Sequence, residues 1–136
     1  MPRETLSRAD TLRAALDAYF AAIAARDPQR IALCFAEHGA LEDPVGAPVR
    51  HGRDAVAALF AAGVAALATN VEIRVLAAHP SGDSIAAHWA MRARGKQGRE
   101  IEADGIDVLR VDERGLILRA EGYWSAAAFR QALAEA

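Results

Sequence analysis

Apolar side chains recur every three or four residues in the first half of this chain and every second residue in the later part. The first pattern is typical of an amphipathic helix over residues 7–26, whose apolar face comprises Leu12, Leu16, Tyr19 and Ile23. Asp27 and Pro28 then suit the N-cap and first position of a short second helix, which we expect to run to about residue 36 and to end before Gly39. A third helix follows residues 51–54, and its inward face comprises Val56, Leu59, Phe60 and Val64.

Alternation of apolar and polar residues predicts strands from Asn70 onward. A first strand begins there, a second covers residues 84–94, and a loop at 95–98 leads to a return strand over 99–111. A last strand over 116–124 precedes a short C-terminal helix. Gly105 lies in the middle of the return strand, where a glycine is compatible with a bulge that bends it.

Helices followed by about four antiparallel strands indicate an α+β fold with the helices on one face of a curved sheet. Long strands that wrap around the N-terminal helices would leave a pocket between the two layers. The 136 residues contain no repeat, linker or low-complexity segment, so we expect one domain over residues 1–136.

Composition narrows the function classes. An apolar fraction of 53% with a net charge of −2 is typical of an ordinary globular protein and offers no attraction for nucleic acid. No apolar run approaches the ~20 residues needed to cross a bilayer. Cys34 has no cysteine partner, and no cysteine and histidine pair has metal-ligand spacing. We therefore expect a cytoplasmic protein that binds neither metal, membrane nor nucleic acid.

The segment Leu41–Gly46 contains two adjacent carboxylates, Glu42 and Asp43, before a turn. Pro44 biases Asp43 toward an extended backbone, and Gly46 permits a tight turn. A carboxylate at the end of an extended segment is well placed to face a cavity. Asp-Pro pairs also begin ordinary surface turns, and the local residues alone favour that second interpretation.

Asp107 is flanked by the apolar residues Ile106 and Val108, on a strand that the predicted meander makes central. If those neighbours point one way, Asp107 points the other, toward the core. A buried carboxyl group is usually protonated unless a partner stabilises its charge. If the protonated Asp107 lies beside the hydroxyl of Tyr19, the two groups form a pair of hydrogen-bond donors that point at the same place. The alternative is a carboxylate that bonds a nearby backbone group or arginine and only stabilises the sheet.

Four segments, in order and at matching separations, resemble the bacterial ketosteroid isomerases, within the nuclear transport factor 2-like and SnoaL-like group of folds. The similarity runs from about Leu12 to Ser125. The segments are Tyr19 in the first helix, Glu42–Gly46 with His51–Arg53, Ile106–Val108, and Tyr123–Ser125. The resemblance implies a cone-shaped, strongly curved, mixed or antiparallel sheet wrapped around the N-terminal helices.

The resemblance also implies a chemistry. A 3-keto-Δ5-steroid would be converted to its Δ4 isomer by intramolecular proton transfer. Asp43 would be the general base, and Tyr19 with protonated Asp107 the oxyanion hole, as in the pKa tuning for which this family is known. No cofactor is expected, and the partner is a small hydrophobic or steroid-like molecule. The family forms homodimers, to which Trp89 and Met91 would contribute if they face outward.

The resemblance also predicts the substrate pocket, with two departures from the family pattern. Phe60 and Phe35 stand where family members have tyrosines; the loss of a hydroxyl supporting Tyr19 is expected to cost ~1 kcal/mol of transition-state stabilisation. His88 and Arg92 stand at positions that are apolar in a steroid pocket. If they point inward, we expect a smaller, more polar or acidic ligand. If they point outward, Arg92 is exposed to solvent and His88 forms hydrogen bonds that only stabilise the structure. The predicted pocket comprises Phe35, Leu59, Phe60, His88, Ala90, Arg92, Gly105 and Trp124.

Two other functions remain open from the sequence. One is a polyketide-cyclase-like enzyme with the same base, which polar side chains at His88 and Arg92 favour. The other is a non-catalytic, ligand-binding dimer, because one fold supports many functions.

Overall fold

The computed structural model describes residues 7–136, which form helices on one side of a single sheet. The helices of this part of the chain are α1 Arg8–Ala24, α2 Pro28–Leu33, α3 Arg53–Ala62, α4 Val64–Leu67 and α5 Ala126–Ala134. The strands within the same range are β1 Phe35–Glu42, β2 Arg50–His51, β3 Ala68–Ser81, β4 Ser84–Gly95, β5 Glu100–Val111 and β6 Ile117–Tyr123.

The sheet is mixed, with the strand order β2-β1-β6-β5-β4-β3. The predicted antiparallel meander is β3 to β6. Beyond it, β1 pairs in parallel with β6, and β2 pairs with β1 as the edge strand. The α+β class predicted from the sequence is confirmed, although β2 was not predicted and β1 was predicted only as a brief extended segment over residues 40–43.

The second helix is shorter than predicted, and Phe35 begins a strand. Helix α2 ends at Leu33, and Gly39, which was expected to lie beyond that helix as its end signal, lies within β1. At Gly39 an added Cβ would lie 2.7 Å from the carbonyl oxygen of Ile117 on β6, so the close approach of two strands requires glycine there. Since β1 is held by a strand near the end of the sequence, local spacing did not reveal it.

The core lies between the helices and the inner face of the sheet. Helix α1 buries its apolar face, including Leu12, Leu16 and Tyr19, against β3, β4 and β5. On β4 the predicted alternation is confirmed. Trp89 and Met91 are buried in this core, so the idea that they face outward into a dimer interface is wrong.

The bulge expected at Gly105 is absent, because β4 and β5 pair without interruption along their length. The irregularities of this sheet lie elsewhere, in β3 between Val75 and Ala77 for example. None of the helices described is long and apolar enough to cross a membrane. Within residues 7–136, no cluster of three histidine, cysteine or acidic side chains is arranged to hold a metal ion.

Candidate active site

Asp43 directly follows β1 and lies against β6. Its cis peptide bond to Pro44 begins a turn in which the N–H of Val45 donates to the carbonyl of Gly122 at 2.7 Å. The neighbouring Glu42 stabilises the same turn by accepting from the N–H of Gly46 at 2.9 Å, and it pairs with Arg119 at 3.0 Å. The two adjacent carboxylates therefore have different surroundings, and only Asp43 faces the interior cavity.

Asp107 projects from β5 into the core, with only 4% of its surface exposed. In the sheet it lies opposite Ala87 on β4 and Gly122 on β6. Its outward neighbour Ile106 is 47% exposed, as the alternation of the strand predicted. Asp107 is thus a buried acid on a central strand.

Gly122 brings the two carboxylates to neighbouring positions. It pairs with Asp107 in the β5–β6 ladder, and a Cβ at this position would lie 2.9 Å from the carboxyl carbon of Asp43. Because glycine leaves this space open, the carboxyl group of Asp43 rests directly on the β6 backbone. Both carboxylates consequently line one interior cavity, although 64 positions separate them in the sequence.

Two tryptophans donate hydrogen bonds to the two carboxylates. The indole N–H of Trp89 donates to Oδ1 of Asp107 at 2.9 Å, and that of Trp124 donates to Oδ1 of Asp43 at 2.7 Å. The indole rings contact each other edge to face, with their centroids 5.3 Å apart. Each acid therefore has its own donor, and the two donors support each other by packing.

Gly105 makes this tryptophan pair sterically feasible. An added Cβ there would lie 2.5 Å from Cζ2 of Trp89 and 2.7 Å from Cβ of Trp124. Gly105 was predicted to line the pocket. In the structure it lies behind the indoles, where only a residue without a side chain fits.

Tyr19 is buried among aromatic rings beside the two acids. Its ring packs edge to face on Phe35 and Phe60, with centroids 5.6 Å and 6.2 Å away, and is tilted against Phe20. Within residues 7–136 its hydroxyl is buried without any hydrogen-bond partner. A buried hydroxyl without a partner is costly, so it calls for an explanation such as a catalytic role or a bound water.

The ionisation of these groups follows from burial and mutual repulsion. Burial raises the pKa of Asp107 to about 7; the charge of Asp43 adds to the rise, and the N–H of Trp89 opposes it. Burial also raises the pKa of Asp43, against the N–H of Trp124. Burial, followed by the charges of Asp107 and Asp43, raises the pKa of Tyr19 well above 10.0, so its hydroxyl keeps its proton.

Two neighbouring cavities, an inner and an outer chamber, share part of their walls. The inner chamber, of about 40 Å³, is apolar except for the two acids, and its walls include Phe20, Ile23, Ile73, Trp89 and Met91. The outer chamber, of about 210 Å³, is lined by residues of α3, α4 and α5 together with Asp43 and Arg50. The two chambers share four lining residues: Asp43, Phe60, Val64 and Trp124.

The predicted pocket residues divide into three groups. Leu59, Phe60 and Trp124 line the cavity as predicted. Phe35 and Gly105 are buried behind its wall, where they pack against Tyr19 and the tryptophans.

The third group was assigned to the wrong face of the sheet. His88, Ala90 and Arg92 point away from the cavity, because the alternation on β4 turns the large apolar residues inward and these residues outward. Nε2 of His88 lies 2.8 Å from Asp104, and Arg92 pairs with Glu102 at 3.1 Å. Ala90 and Arg92 line a separate groove on this outer face. Their polarity therefore says nothing about the ligand in the cavity.

Trp89 is the site residue that the sequence interpretation missed. Its place in the second predicted strand was recognised, but it was considered for a dimer interface and not for the pocket. The signal that would have found it is its size and alternation: a large apolar side chain next to histidine and arginine on a central strand most often faces the core.

Comparison with known proteins identifies the family of this chain. Residues 16–120 match the SnoaL-like domain. The chain belongs to the SnoaL-like domain family. This family lies within the nuclear transport factor 2-like group of folds, so the resemblance predicted from the sequence is confirmed at the level of family and fold.

Proteins similar to this SnoaL-like chain include a steroid isomerase in sequence and a cyclase-like enzyme in structure. This chain is 29% identical over 117 residues to a steroid delta-isomerase of Nocardioides simplex. The alignment covers 84% of this chain and 89% of that protein. The Mycobacterium tuberculosis protein RV0760c, solved with estradiol-17β-hemisuccinate, superposes with a TM-score of 0.73 at 25% identity, covering 86% of this chain and 95% of that one. The epoxide hydrolase/cyclase-like enzyme SalBIII, which acts in pyran ring formation, has the same TM-score at 23% identity and covers 85% of this chain and 91% of its own. The last similarity establishes the fold alone.

Proposed function

We propose that this protein catalyses an intramolecular proton transfer that moves a carbon–carbon double bond into conjugation with a ketone, as in the isomerisation of a 3-keto-Δ5-steroid to the Δ4 form. The observation that carries the proposal is the pair of buried carboxyl groups on one cavity, each with its own indole donor. The relative named steroid delta-isomerase supports this reaction class.

The different surroundings of the two acids support different roles. Two carboxyl groups that share a dry cavity do not both ionise readily, so one proton is retained between their two apparent pKa values. Asp107, with the pKa of about 7, retains it and donates a hydrogen bond. Asp43 is the ionised partner and the base.

In the proposed reaction, the Asp43 carboxylate removes a proton from the carbon between the carbonyl and the double bond. The electron pair of that C–H bond moves toward the carbonyl, so negative charge develops on the oxygen. The hydroxyl groups of Asp107 and Tyr19 donate to this oxygen, and the neutral Asp43 then returns the same proton two carbons along. Donors placed where charge develops, away from water, contribute most of the stabilisation in such reactions.

Tyr19 requires an adjustment on binding. Tyr19 is not among the residues that line the inner chamber, although its ring packs against Phe20 and Phe60, which do line it. Phenylalanine at positions 35 and 60 leaves the hydroxyl of Tyr19 without a partner from the described protein, so it is available to a substrate oxygen. We expect Phe60 to shift when a ketone occupies the inner chamber, because that side chain lines both chambers.

The test is a steady-state assay with 5-androstene-3,17-dione, in which the conjugated enone product is followed by ultraviolet absorbance. Asp43→Asn is expected to lower kcat by roughly 10²–10⁴-fold, the usual contribution of a general base. Asp104→Asn is the matched control, since Asp104 is an exposed aspartate on β5 and its exchange is expected to leave kcat unchanged. Equal kcat values for Asp43→Asn and wild type would remove Asp43 from the proposed role.

A second candidate is a cyclase that opens an epoxide. The observation in its favour is the same pair of acids on one cavity, since epoxide opening also needs one protonated and one ionised carboxyl group. Asp107 would protonate the epoxide oxygen while Asp43 deprotonates an attacking hydroxyl. Turnover of a hydroxy-epoxide, with no binding of the phenolic steroid equilenin, would favour this reaction over the isomerisation.

A homodimer stays a prediction. With Trp89 and Met91 buried, the exposed apolar side chains available on the outer sheet face include Ile106 and Tyr123, which lie opposite each other on β5 and β6. Sedimentation equilibrium of wild type and Tyr123→Glu would test it: a dimer held by this face dissociates in the variant.

A further inference from the structure

Two arginines from distant parts of the sequence line the outer chamber. Arg50 belongs to the edge strand β2, and Arg130 belongs to α5. The other lining residues are apolar or glycine, apart from Asp43 at the boundary with the inner chamber. The chain has a net charge of −2, so two positive charges at an otherwise apolar cavity depart from its general character.

Neither arginine has an acidic partner among residues 7–136, where some arginines are paired and others, such as the exposed Arg110 and Arg114, are not. Arg92, Arg94 and Arg119, for example, form salt bridges of 2.8–3.1 Å with glutamates. Arg50 is half-buried and Arg130 is exposed, but no salt bridge or side-chain hydrogen bond joins either of them to the described protein. A half-buried guanidinium is usually paired, because removal from water costs free energy that a counter-ion restores.

The local structure holds both side chains at this cavity. On α5, Ala126, Phe129, Arg130 and Leu133 all line it, which is the three-to-four spacing of one helical face. On the opposite wall of the chamber, Arg50 on β2 pairs with Leu41 on β1. Leu41 lies two residues before Asp43 in the sequence. The strand that carries the base therefore also supports one of the two cations.

The order of groups along the cavity is the decisive point. Asp107 lines only the inner chamber, Asp43 lines both chambers, and the arginines line only the outer one. A molecule whose carbonyl meets Asp107 would pass the apolar residues Phe60, Val64 and Trp124 and end at the guanidinium groups. Guanidinium groups bind carboxylate and phosphate oxygens through charge-assisted hydrogen bonds.

We propose that the molecule bound in this cavity carries an anionic group, a carboxylate or a phosphate ester, at the end opposite to its carbonyl or phenol, and that Arg50 and Arg130 bind this group. The inference rests on the proposed function only for which end faces Asp107. Neutral steroids of the same shape should therefore be poorer ligands than their anionic derivatives.

A set of probes with one changing group tests this inference. These are estradiol, estradiol-17-hemisuccinate, the methyl ester of that hemisuccinate, and estradiol-17-phosphate. The readout is intrinsic fluorescence, because the chain has two tryptophans and both line the cavity. The ester matches the hemisuccinate in length without its charge, and the phosphate distinguishes the two classes of anion.

We expect at least one of the two anionic probes to bind roughly tenfold more tightly than the ester. This preference should weaken at high salt. Arg50→Gln and Arg130→Gln should each reduce the preference, and the double variant should abolish it while leaving the Kd of the ester unchanged. Exchange for lysine, which keeps the charge, should restore part of it. Arg114→Gln, in the exposed β5–β6 turn, is the matched control.

Equal affinities of wild type for the hemisuccinate, the phosphate and the ester would overturn the inference. A preference for the anions that survives in the double variant would overturn it as well. These binding results are independent of turnover: absence of enone formation contradicts the isomerase proposal, whereas loss of charge preference contradicts the role of the arginines. Circular dichroism of each variant, compared with Arg114→Gln, establishes that a loss of binding does not come from unfolding.

Discussion

Replacing Trp89 by phenylalanine tests whether one indole N–H tunes the acid of this site. The N–H donates to Asp107 at 2.9 Å and lowers the pKa that burial raises. Phenylalanine keeps an aromatic ring against Trp124 and removes the donor. The variant therefore changes the ionisation of Asp107 with little change in the packing around it.

The size of the effect follows from the two protonation states. A hydrogen bond contributes about 1.5–3 kcal/mol to a charged acceptor and about 0.5–1.5 kcal/mol to a neutral one. The difference, about 1–1.5 kcal/mol, corresponds to roughly one pKa unit. The pKa of Asp107, about 7 in the wild type, should therefore rise by roughly one unit in Trp89→Phe.

The pH profile of kcat is the assay. In the proposed mechanism turnover needs ionised Asp43 and protonated Asp107, so kcat should rise with pH as Asp43 ionises and fall as Asp107 ionises near pH 7. In Trp89→Phe the falling limb should move to higher pH. Trp124→Phe is the matched control, because it removes the donor to Asp43 and should instead move the rising limb to higher pH.

A falling limb that stays in place in Trp89→Phe, or moves to lower pH, would refute this reasoning. The same ionisation is observable without turnover. The indole N–H resonance of Trp89 in the wild type should shift with pH around 7, where Asp107 titrates, and this shift should be absent in Asp107→Asn.

Three further predictions concern stability as well as rate. Tyr19→Phe removes a buried hydroxyl that has no partner in the described protein, so it should raise the free energy of unfolding by about 1 kcal/mol in urea titrations and lower kcat; a destabilised variant would indicate a bound water or partner. Gly105→Ala places a Cβ 2.5 Å from Trp89, so the free energy of unfolding should fall by about 1–3 kcal/mol. Both limbs of the pH profile of kcat should also move, because both indoles are displaced. An unchanged profile would mean that the indoles adjust freely. In the folded protein Asp107 holds its proton up to a pH of about 7, whereas in the unfolded chain it loses the proton near pH 3.8. Its contribution to the free energy of unfolding should therefore fall by about 4 kcal/mol as the pH rises between these two values. Urea titrations at both pH values measure this decline, which Asp107→Asn should lack.

Local pattern accounted for most of the helices and for the meander, because each rests on neighbours within a few turns or on adjacent hairpin strands. It failed where the pairing partner is distant. Phe35 was assigned to a helix, yet β1 is a strand because β6 pairs with it. The register of that same pair then positions Asp43 beside Gly122, so a strand that was predicted only in part builds the site.

The faces of β4 show a different kind of failure. Alternation separated Trp89 and Met91 from His88 and Arg92 correctly, but alternation alone does not say which set faces the helices. The size and apolarity of the first set favoured the core, and alignment to a family pattern favoured the opposite assignment. Burial in the structure agrees with the simple hydrophobic argument.

By itself the sequence determined which acids are unusual, since Asp43 precedes a proline turn and Asp107 interrupts an apolar strand, and it determined the family. Only the tertiary structure decided how these acids differ. Trp89 and Trp124 bring their N–H groups to the carboxylates through strand register and through the space left by Gly105. Arg50 and Arg130 meet one cavity because an edge strand and the last helix pack around it. These contacts join residues far apart in the sequence, so their effect on pKa and on ligand charge arises only when the chain is folded.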